Sequence, residues 1–593
     1  MKTRFQVLDA DYVLIDSKPT IRLFGRTDEN KSITVFYDKF LPYFYVLPAE
    51  GKTTELKEYI KKKFKKLVVK METTEKFLSI GYQEKPTKVL KITLNDPSKT
   101  PSIRDDLRTT RLVKDIYEAD ILFRYRFMTD HGIFGMRWYE VDGEGTRTNT
   151  AKTEKTILAK SFKEIKKEEN MKFKYLSVDI ETLSSEGGMP NENKDPIILI
   201  SLFFYPSFKD KNSLVLAAKP IKKFEKDIMG FPSEKEMLSE FIKIIDRFDP
   251  DLICGYNISN FDLPYIEARL KKNNIPRTIG RCKQKNMRCS KFANRERVTI
   301  PGRIIVDVYS MVKEATRKFG LFKGLKRFGL GDVSKAVLGE GKVDVAHSEI
   351  NGFWADNGEK LKKLLRYSRK DAELPLRVLM KKMMLDKFIE VCKVTGIVLQ
   401  DALDSGETSR IENLLLREFN KRNFIIPCRP TNEEVSRRQK ERRTKGLKGA
   451  FVLKPEVGFH DNCVVYLDFK SMYPSILINL NICPTTLLLD GEGIEHQTTP
   501  FGSKFVSPKV RRGIVPEILK YLIETRDKVK KEMKRARSPE RKNYLYAKQY
   551  ALKTVANAFY GYSGYIRARF YMLDIASGIT STGRDMIKKT RSI

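Results

Sequence analysis

The chain has 593 residues, more than one hydrophobic core usually organises, and its 41% hydrophobic content excludes a disordered polypeptide. Lys and Arg number 113 against 76 Asp and Glu, a formal net charge of +37, so a polyanionic partner whose grip weakens with salt is expected. The 25 Tyr and 35 Phe are too many apolar anchors for a purely charge-driven packing arm. Residues Met1 to Asp11 offer neither a signal peptide nor a membrane span, which predicts a soluble, cytoplasmic, nucleoid-associated protein with no membrane partner. Seven scattered Cys suit a reducing compartment, and Cys282 and Cys289, without a second pair, do not have zinc-knuckle spacing.

In chain order, residues 1–145 alternate β-type runs such as Ile33 to Tyr37 and Tyr43 to Leu47 with a basic helix, predicting a small mixed domain. The short basic runs Lys61 to Lys66 and Arg437 to Lys445 read as solvated faces. The polar stretch Gly143 to Lys155 reads as a linker. A strand at Tyr175 to Val178 then opens an α/β alternation, giving a domain over 146–382. Residues 383–428 read as a helical return segment packing on the N-terminal domain, with Leu414, Leu415 and Leu416 facing a core. Cys463 to Leu467 predicts a buried strand ending in Asp468. Helices over 516–536 and 539–558, started by Pro516 and Pro539 and capped at Ser538, predict an antiparallel hairpin.

Two sets of polar residues stand out. In the first, Asp179 and Glu181 lie two apart at a strand end and project to one side. Asp262 follows a turn that begins at Asn257 and passes Phe261, and Tyr367 and Asp371 share a helix face four residues apart. Each alone fits a bland reading: solvated acids, a helix cap, a core tyrosine with a surface acid. As an ordered set, four carboxylates can hold two divalent cations while the Tyr367 phenol orients a water. In the second set, Asp468 precedes the helix opened by Pro474. Arg526 and Lys530 line one hairpin helix, and Lys553, Asn557 and Tyr560 line the other. Basic stripes are usually solvated, but two on one hairpin can converge on a triphosphate.

The first set resembles the three exonuclease motifs of family B DNA polymerases, Asp-x-Glu, Asn-x3-Phe-Asp and Tyr-x3-Asp. The second resembles the family's motif A, with Met472 where Leu is common, and motif B, Lys553 to Gly561. The resemblance implies a multidomain α/β fold: a mixed N-terminal domain, an RNase H-like 3′→5′ exonuclease domain, an incomplete right-hand palm over 429–510 and 562–593, helical-hairpin fingers over 511–561, and no thumb. It implies two Mg²⁺ or Mn²⁺ ions per active site. The exonuclease ligands would be Asp179, Glu181, Asp262 and Asp371, and the polymerase ligands Asp468 and the Phe469 carbonyl. For a dNTP it implies Arg526, Lys530 and Lys553 on the triphosphate, Asn557 nearby, Tyr560 as a pocket wall and Tyr473 as the gate against a ribose 2′-OH. Gly449 to Val452 resembles the loop joining the two sites, with Leu447 in place of the usual Tyr. Primer-template DNA is the implied partner, with a sliding clamp as a further candidate.

The N-terminal domain resembles the archaeal family B domain that captures template uracil. Pro42, Tyr43, Pro97, Thr100, Pro101 and Arg104 match its pocket, with Thr100 replacing the usual Val and Leu122 a later Pro. The family's third polymerase motif, an Asp-Thr-Asp, is not found after Tyr560, where the remaining acids are Asp574 and Asp585. This predicts a split enzyme in which a smaller polypeptide supplies that motif and the thumb, joined through Ile575, Ile579, Met586 and Ile587. A stand-alone exonuclease and a non-synthesising primer-template scaffold remain open alternatives.

Overall fold

The computed structural model of the chain describes residues 1–148, 150–184, 188–221, 226–292, 295–319, 322, 324–342, 344–446, 449–489 and 493–592. Up to residue 165 the strands are β1 (Lys2–Ile15), β2 (Lys18–Thr27), β3 (Ser32–Tyr37), β4 (Tyr43–Pro48), β5 (Val68–Leu78), β6 (Thr87–Leu94), β7 (Val113–Tyr117), β8 (Trp138–Gly145) and β9 (Lys155–Ile165). β1, β2, β3, β9 and β8 close a barrel, which leaves no free sheet edge. β5, β6, β4 and β7 form a second sheet, backed by the helices Thr53–Lys63 and Thr100–Arg108 through Leu56, Ile60, Ile103 and Leu107.

The barrel corrects one boundary. Residues 143–155, expected to link two domains, instead carry the chain from β8 to β9 within it. β9 pairs in parallel with β3 and antiparallel with β8, and Ile157 and Ala159, two apart, face its interior. Polar composition there marks a turn between strands of one barrel, exposed at Glu144, Gly145 and Arg147 and buried at Thr150 and Ala151.

Next come β10 (Tyr175–Thr182), β11 (Ile197–Phe208), β12 (Lys211–Ala217), β13 (Ile228–Gly230) and β14 (Leu252–Gly255). The hairpin β15 (Arg288–Phe292) and β16 (Arg295–Thr299) follows, then β17 (Ile304–Asp307). The sheet order is β13-β12-β11-β10-β14-β17, so β10 is central, antiparallel to β11 and parallel to β14. The period of two in β10 divides its residues between faces. Leu176, Val178 and Ile180 pack with Leu238 and Phe241 of the Glu234–Phe248 helix, leaving Ser177, Asp179 and Glu181 for the opposite face. A buried charge network joins this sheet to the barrel: Arg26 to Asp251 at 2.6 Å, and Arg281 to Asp251 at 2.7 Å and to Asp249 at 2.9 Å.

After the helix Met384–Thr395, the helix Glu407–Lys421 buries Leu414, Leu415 and Leu416 together, and β18 (Phe424–Ile425) pairs in parallel with β5. The helices Ile514–Arg535 and Pro539–Ser563 pack as a hairpin, with the Ser538 hydroxyl accepting the Arg541 N–H at 3.1 Å. The helix Leu573–Arg591 lies against the helix Met472–Asn479. Ile575 and Ile579 are therefore buried in this chain's own core beside Ile476 and Phe559, and Met586 packs against the same core. This corrects their expected role as a free joint: the spacing that makes a face apolar says nothing of which neighbour covers it.

Residues 463–467 are a second correction. They form no strand, and Val464, Val465, Tyr466 and Leu467 stand 71–89% exposed. A β-type run becomes a strand only when a neighbour accepts its backbone hydrogen bonds, and none of the described strands pairs with it. Among the described residues no helix is long and apolar enough to cross a membrane.

Candidate active sites

The end of β10 is the first candidate site. Gly255, closing β14, lets the two strands approach, since a Cβ there would stand 2.6 Å from the Val178 carbonyl oxygen. The chain then turns through Asn257 in the left-handed region (φ 67°), a conformation asparagine tolerates better than most residues. The Asn257 carbonyl accepts the N–H groups of Asn260 at 3.0 Å and Phe261 at 3.2 Å, and the helix Asp262–Lys272 begins. Asp262 Oδ1 in turn accepts the Ile180 N–H at 3.2 Å, which pins it to β10 between Asp179 and Glu181. From the facing helix Glu359–Lys381 come buried Tyr367 and Asp371, one turn apart.

One carboxylate oxygen from each of Asp179, Glu181 and Asp371 lies within 4.8 Å of the others. Asp262 stands just outside that trio. Burial, then repulsion from Glu181 and the other acids, holds the Asp179 carboxyl well above its ordinary range. Burial, then Asp371, pushes Glu181 up to about 8, and burial raises Asp262 to about 7. Asp179 Oδ2 and Asp371 Oδ1 are buried without a hydrogen-bond partner. Crowded carboxylates with idle oxygens are a donor set that fits a hard divalent cation.

The cluster carries a pH signature. Its carboxyls have folded pKa values above their unfolded ones, so the stability they contribute is intact below the unfolded carboxylate range near pH 4. It is lost as pH rises through about 7 and about 8. The metal-free melting temperature is expected to fall between about pH 5.5 and about pH 8.5, and Mg²⁺ to raise it more at the higher pH, because ligation needs deprotonated carboxylates. Glu181→Gln is expected to flatten the metal-free slope in differential scanning fluorimetry. A slope equal to the parent's would contradict this account.

Sequence reasoning missed Lys342. Its ammonium pairs with Asp371 Oδ2 at 2.5 Å, donates to the Tyr367 hydroxyl at 3.0 Å and lies 4.6 Å from that ring's centre. The polar, Gly-flanked run Gly339 to Asp344 has no periodicity that would signal it.

The second set is assembled in part. Tyr473, on the Met472–Asn479 helix, packs against Tyr560 in a tilted contact, ring centres 4.6 Å apart and planes at 40°. Arg526 donates to Gln549 Oε1 at 3.3 Å, bridging the two hairpin helices, while Lys530, Lys553 and Asn557 are exposed. Lys470 pairs with Asp527 at 2.8 Å. Asp468 is exposed and Phe469 half-buried in irregular chain, and Asp468 joins no acid cluster among the described residues. Gly449 accepts a hydrogen bond from Arg584 at 2.9 Å, and Leu447 lies outside the described residues.

In the N-terminal sheet, the Pro42 carbonyl accepts the Leu94 N–H at 2.8 Å, bringing the start of β4 toward Pro97, Thr100, Pro101 and Arg104. The Tyr43 hydroxyl donates to Asp130 at 2.7 Å, its ring lies 4.0 Å from the Lys91 ammonium, and Arg104 pairs with Asp105.

Two family models match the chain: DNA polymerase family B, exonuclease domain, over residues 114–319, and DNA polymerase family B over residues 397–593. Tyr367 and Asp371 fall between the two spans, so their place in the site rests on the geometry above. The DNA polymerase of Thermococcus sp. (strain 9oN-7) is 33% identical over 98% of this chain and 67% of its own length. That of Thermococcus gorgonarius is 32% identical over 98% and 68%. The DNA polymerase delta catalytic subunit of Dictyostelium discoideum is 30% identical over 99% of this chain but only 58% of its own length. The solved family B DNA polymerase of the hyperthermophilic archaeon Pyrobaculum calidifontis superposes with a TM-score of 0.79 at 26% identity, covering 99% of this chain and 72% of that one. The chain thus spans between 58% and 72% of the length of these proteins.

Proposed function

We propose, since this chain belongs to DNA polymerase family B, that it hydrolyses nucleotides from DNA 3′ ends and supplies the nucleotide-binding part of a DNA-directed DNA polymerase. The observation that carries the first half is the trio of Asp179, Glu181 and Asp371 oxygens within 4.8 Å. Asp179, Glu181 and Asp371, with Asp262 beside them, would hold divalent cations, which when bound polarise the scissile phosphate and lower the pKa of a water. Tyr367 orients that water by hydrogen bonding. Lys342 fixes both Tyr367 and Asp371 and would add positive charge near the scissile phosphate, where water attack and departure of the 3′ oxygen build negative charge. Degradation of a 3′-mismatched primer with Mg²⁺, compared with EDTA, tests this directly. A parent chain inert in both would remove the excision reading.

For synthesis, Asp468 and the Phe469 carbonyl would ligate metal, Arg526, Lys530 and Lys553 would neutralise the triphosphate, and Asn557 and Tyr560 would border the base pair. A two-metal centre needs a further acid beside Asp468, so the reading includes an Asp-bearing palm segment and a thumb, carried by a further stretch of this protein or by a second polypeptide. Primer-template DNA is the substrate complex, a sliding clamp the accessory, and the Pro42, Tyr43, Pro97, Thr100, Pro101 and Arg104 surface the template-uracil contact. Tyr473, held against Tyr560, would close against C2′ of the incoming nucleotide and exclude a 2′-OH. In the completed enzyme Tyr473→Ala is expected to raise ribonucleotide incorporation about tenfold or more relative to deoxynucleotide. Equal discrimination by mutant and parent in single-turnover incorporation would remove the gate.

A further inference from the structure

The Asn257 turn is held by a carboxylate that none of the roles above uses. Asp307 ends β17, in register with Gly255 of β14. Its Oδ1 accepts the Asn257 N–H at 3.2 Å and the Ser310 N–H at 3.2 Å. One oxygen thus caps both the turn that leads to Asp262 and the first turn of the helix Val308–Phe319. Its Oδ2 is buried with no hydrogen-bond partner. After burial, Asp307 is also the largest influence raising the Asp262 pKa, which puts the two carboxylates within electrostatic reach.

The consequence runs along the backbone. Asn257 is left-handed, its carbonyl accepts the Asn260 and Phe261 N–H groups, and the Ile258 carbonyl accepts the Leu263 N–H at 3.0 Å. Releasing the Asn257 N–H would leave a half-buried donor without its partner and loosen the turn that aims Asp262 at β10.

We propose that Asp307 is a positioning residue for excision: it locks the Asn257 turn so that Asp262 presents its carboxylate to the metal-binding cluster, and its idle oxygen adds negative charge on that side. The inference rests on the excision reading. Asp307→Ala and Asp307→Asn separate acceptor from charge, because the amide can turn its oxygen to the Asn257 and Ser310 N–H groups. In the full chain, Asp307→Ala is expected to lower kcat for 3′ excision and Mn²⁺ affinity by titration calorimetry roughly 10- to 100-fold. The KM for a single-stranded oligonucleotide should hold at the parental value, and hydrogen exchange at the Asn257 amide should accelerate. Asp307→Asn is expected to restore most of kcat and the slow exchange while leaving Mn²⁺ affinity reduced. Parental kcat and Mn²⁺ affinity in Asp307→Ala would overturn the proposal. So would an Asp307→Asn variant whose kcat falls about tenfold or more below the parent's, which also decides the matter if Asp307→Ala fails to fold. A parent chain that does not excise would sink the excision reading instead, and Mn²⁺ affinity and Asn257 exchange would still decide the role of Asp307.

Discussion

Asp179→Ala is expected to slow Mg²⁺-dependent removal of 3′ nucleotides about 1000-fold while leaving DNA affinity at the parental value. Asp179 sits mid-way along the acid face of β10, and its Oδ2 is one of the two idle buried oxygens that a cation would satisfy. Removing it takes away one of the three clustered carboxylates. Metal-supplied charge stabilisation amounts to several kcal/mol, and about 4 kcal/mol corresponds to a factor near 1000 in rate. The substitution also removes the repulsion of the buried Asp179 carboxylate by Glu181, Asp371 and Asp262, so the protein should melt no lower than the parent at alkaline pH. That separates lost chemistry from lost folding. The measurement is the single-turnover excision rate on an end-labelled primer, paired with an anisotropy titration of the same DNA. Excision at the parental rate would place the active site elsewhere in the chain.

With primer-template, Mg²⁺ and all four dNTPs, residues 1–593 by themselves are expected to shorten the primer and not extend it. The excision cluster is assembled within the chain, whereas Asp468 stands exposed in irregular backbone behind a run of exposed apolar residues, Val464 to Leu467. A two-metal transfer centre needs at least a second acid held a few ångströms away by ordered backbone, and a strand orders only against a neighbour. Adding a polypeptide that carries an Asp-x-Asp hairpin is expected to raise extension by roughly 1000-fold or more, the scale of acquiring a metal centre. Gel analysis of primer lengths, with Asp179→Ala in parallel to suppress shortening, reads both outcomes. Extension by the unsupplemented Asp179→Ala chain would refute the need for a completing segment.

Much of this protein was determined by its sequence alone. The period of two in β10 committed Asp179 and Glu181 to one face, and the four-residue interval put Tyr367 and Asp371 on one helical stripe. Ser538 and Pro539 likewise marked the start of the second hairpin helix. Such features depend on backbone geometry repeating over a few residues, which local spacing encodes. Tertiary structure decided the rest. The polar 143–155 stretch became a turn inside a barrel because β9 found β3, 122 residues earlier, as its partner. Ile575 and Ile579 were claimed by this chain's own core, and Lys342 and Asp307 acquired roles through contacts with Asp371 and Asn257 that no local pattern announces. The apolar run at 463–467 has strand propensity and no strand, because hydrogen bonding between strands and burial by neighbours are supplied by distant residues or not at all.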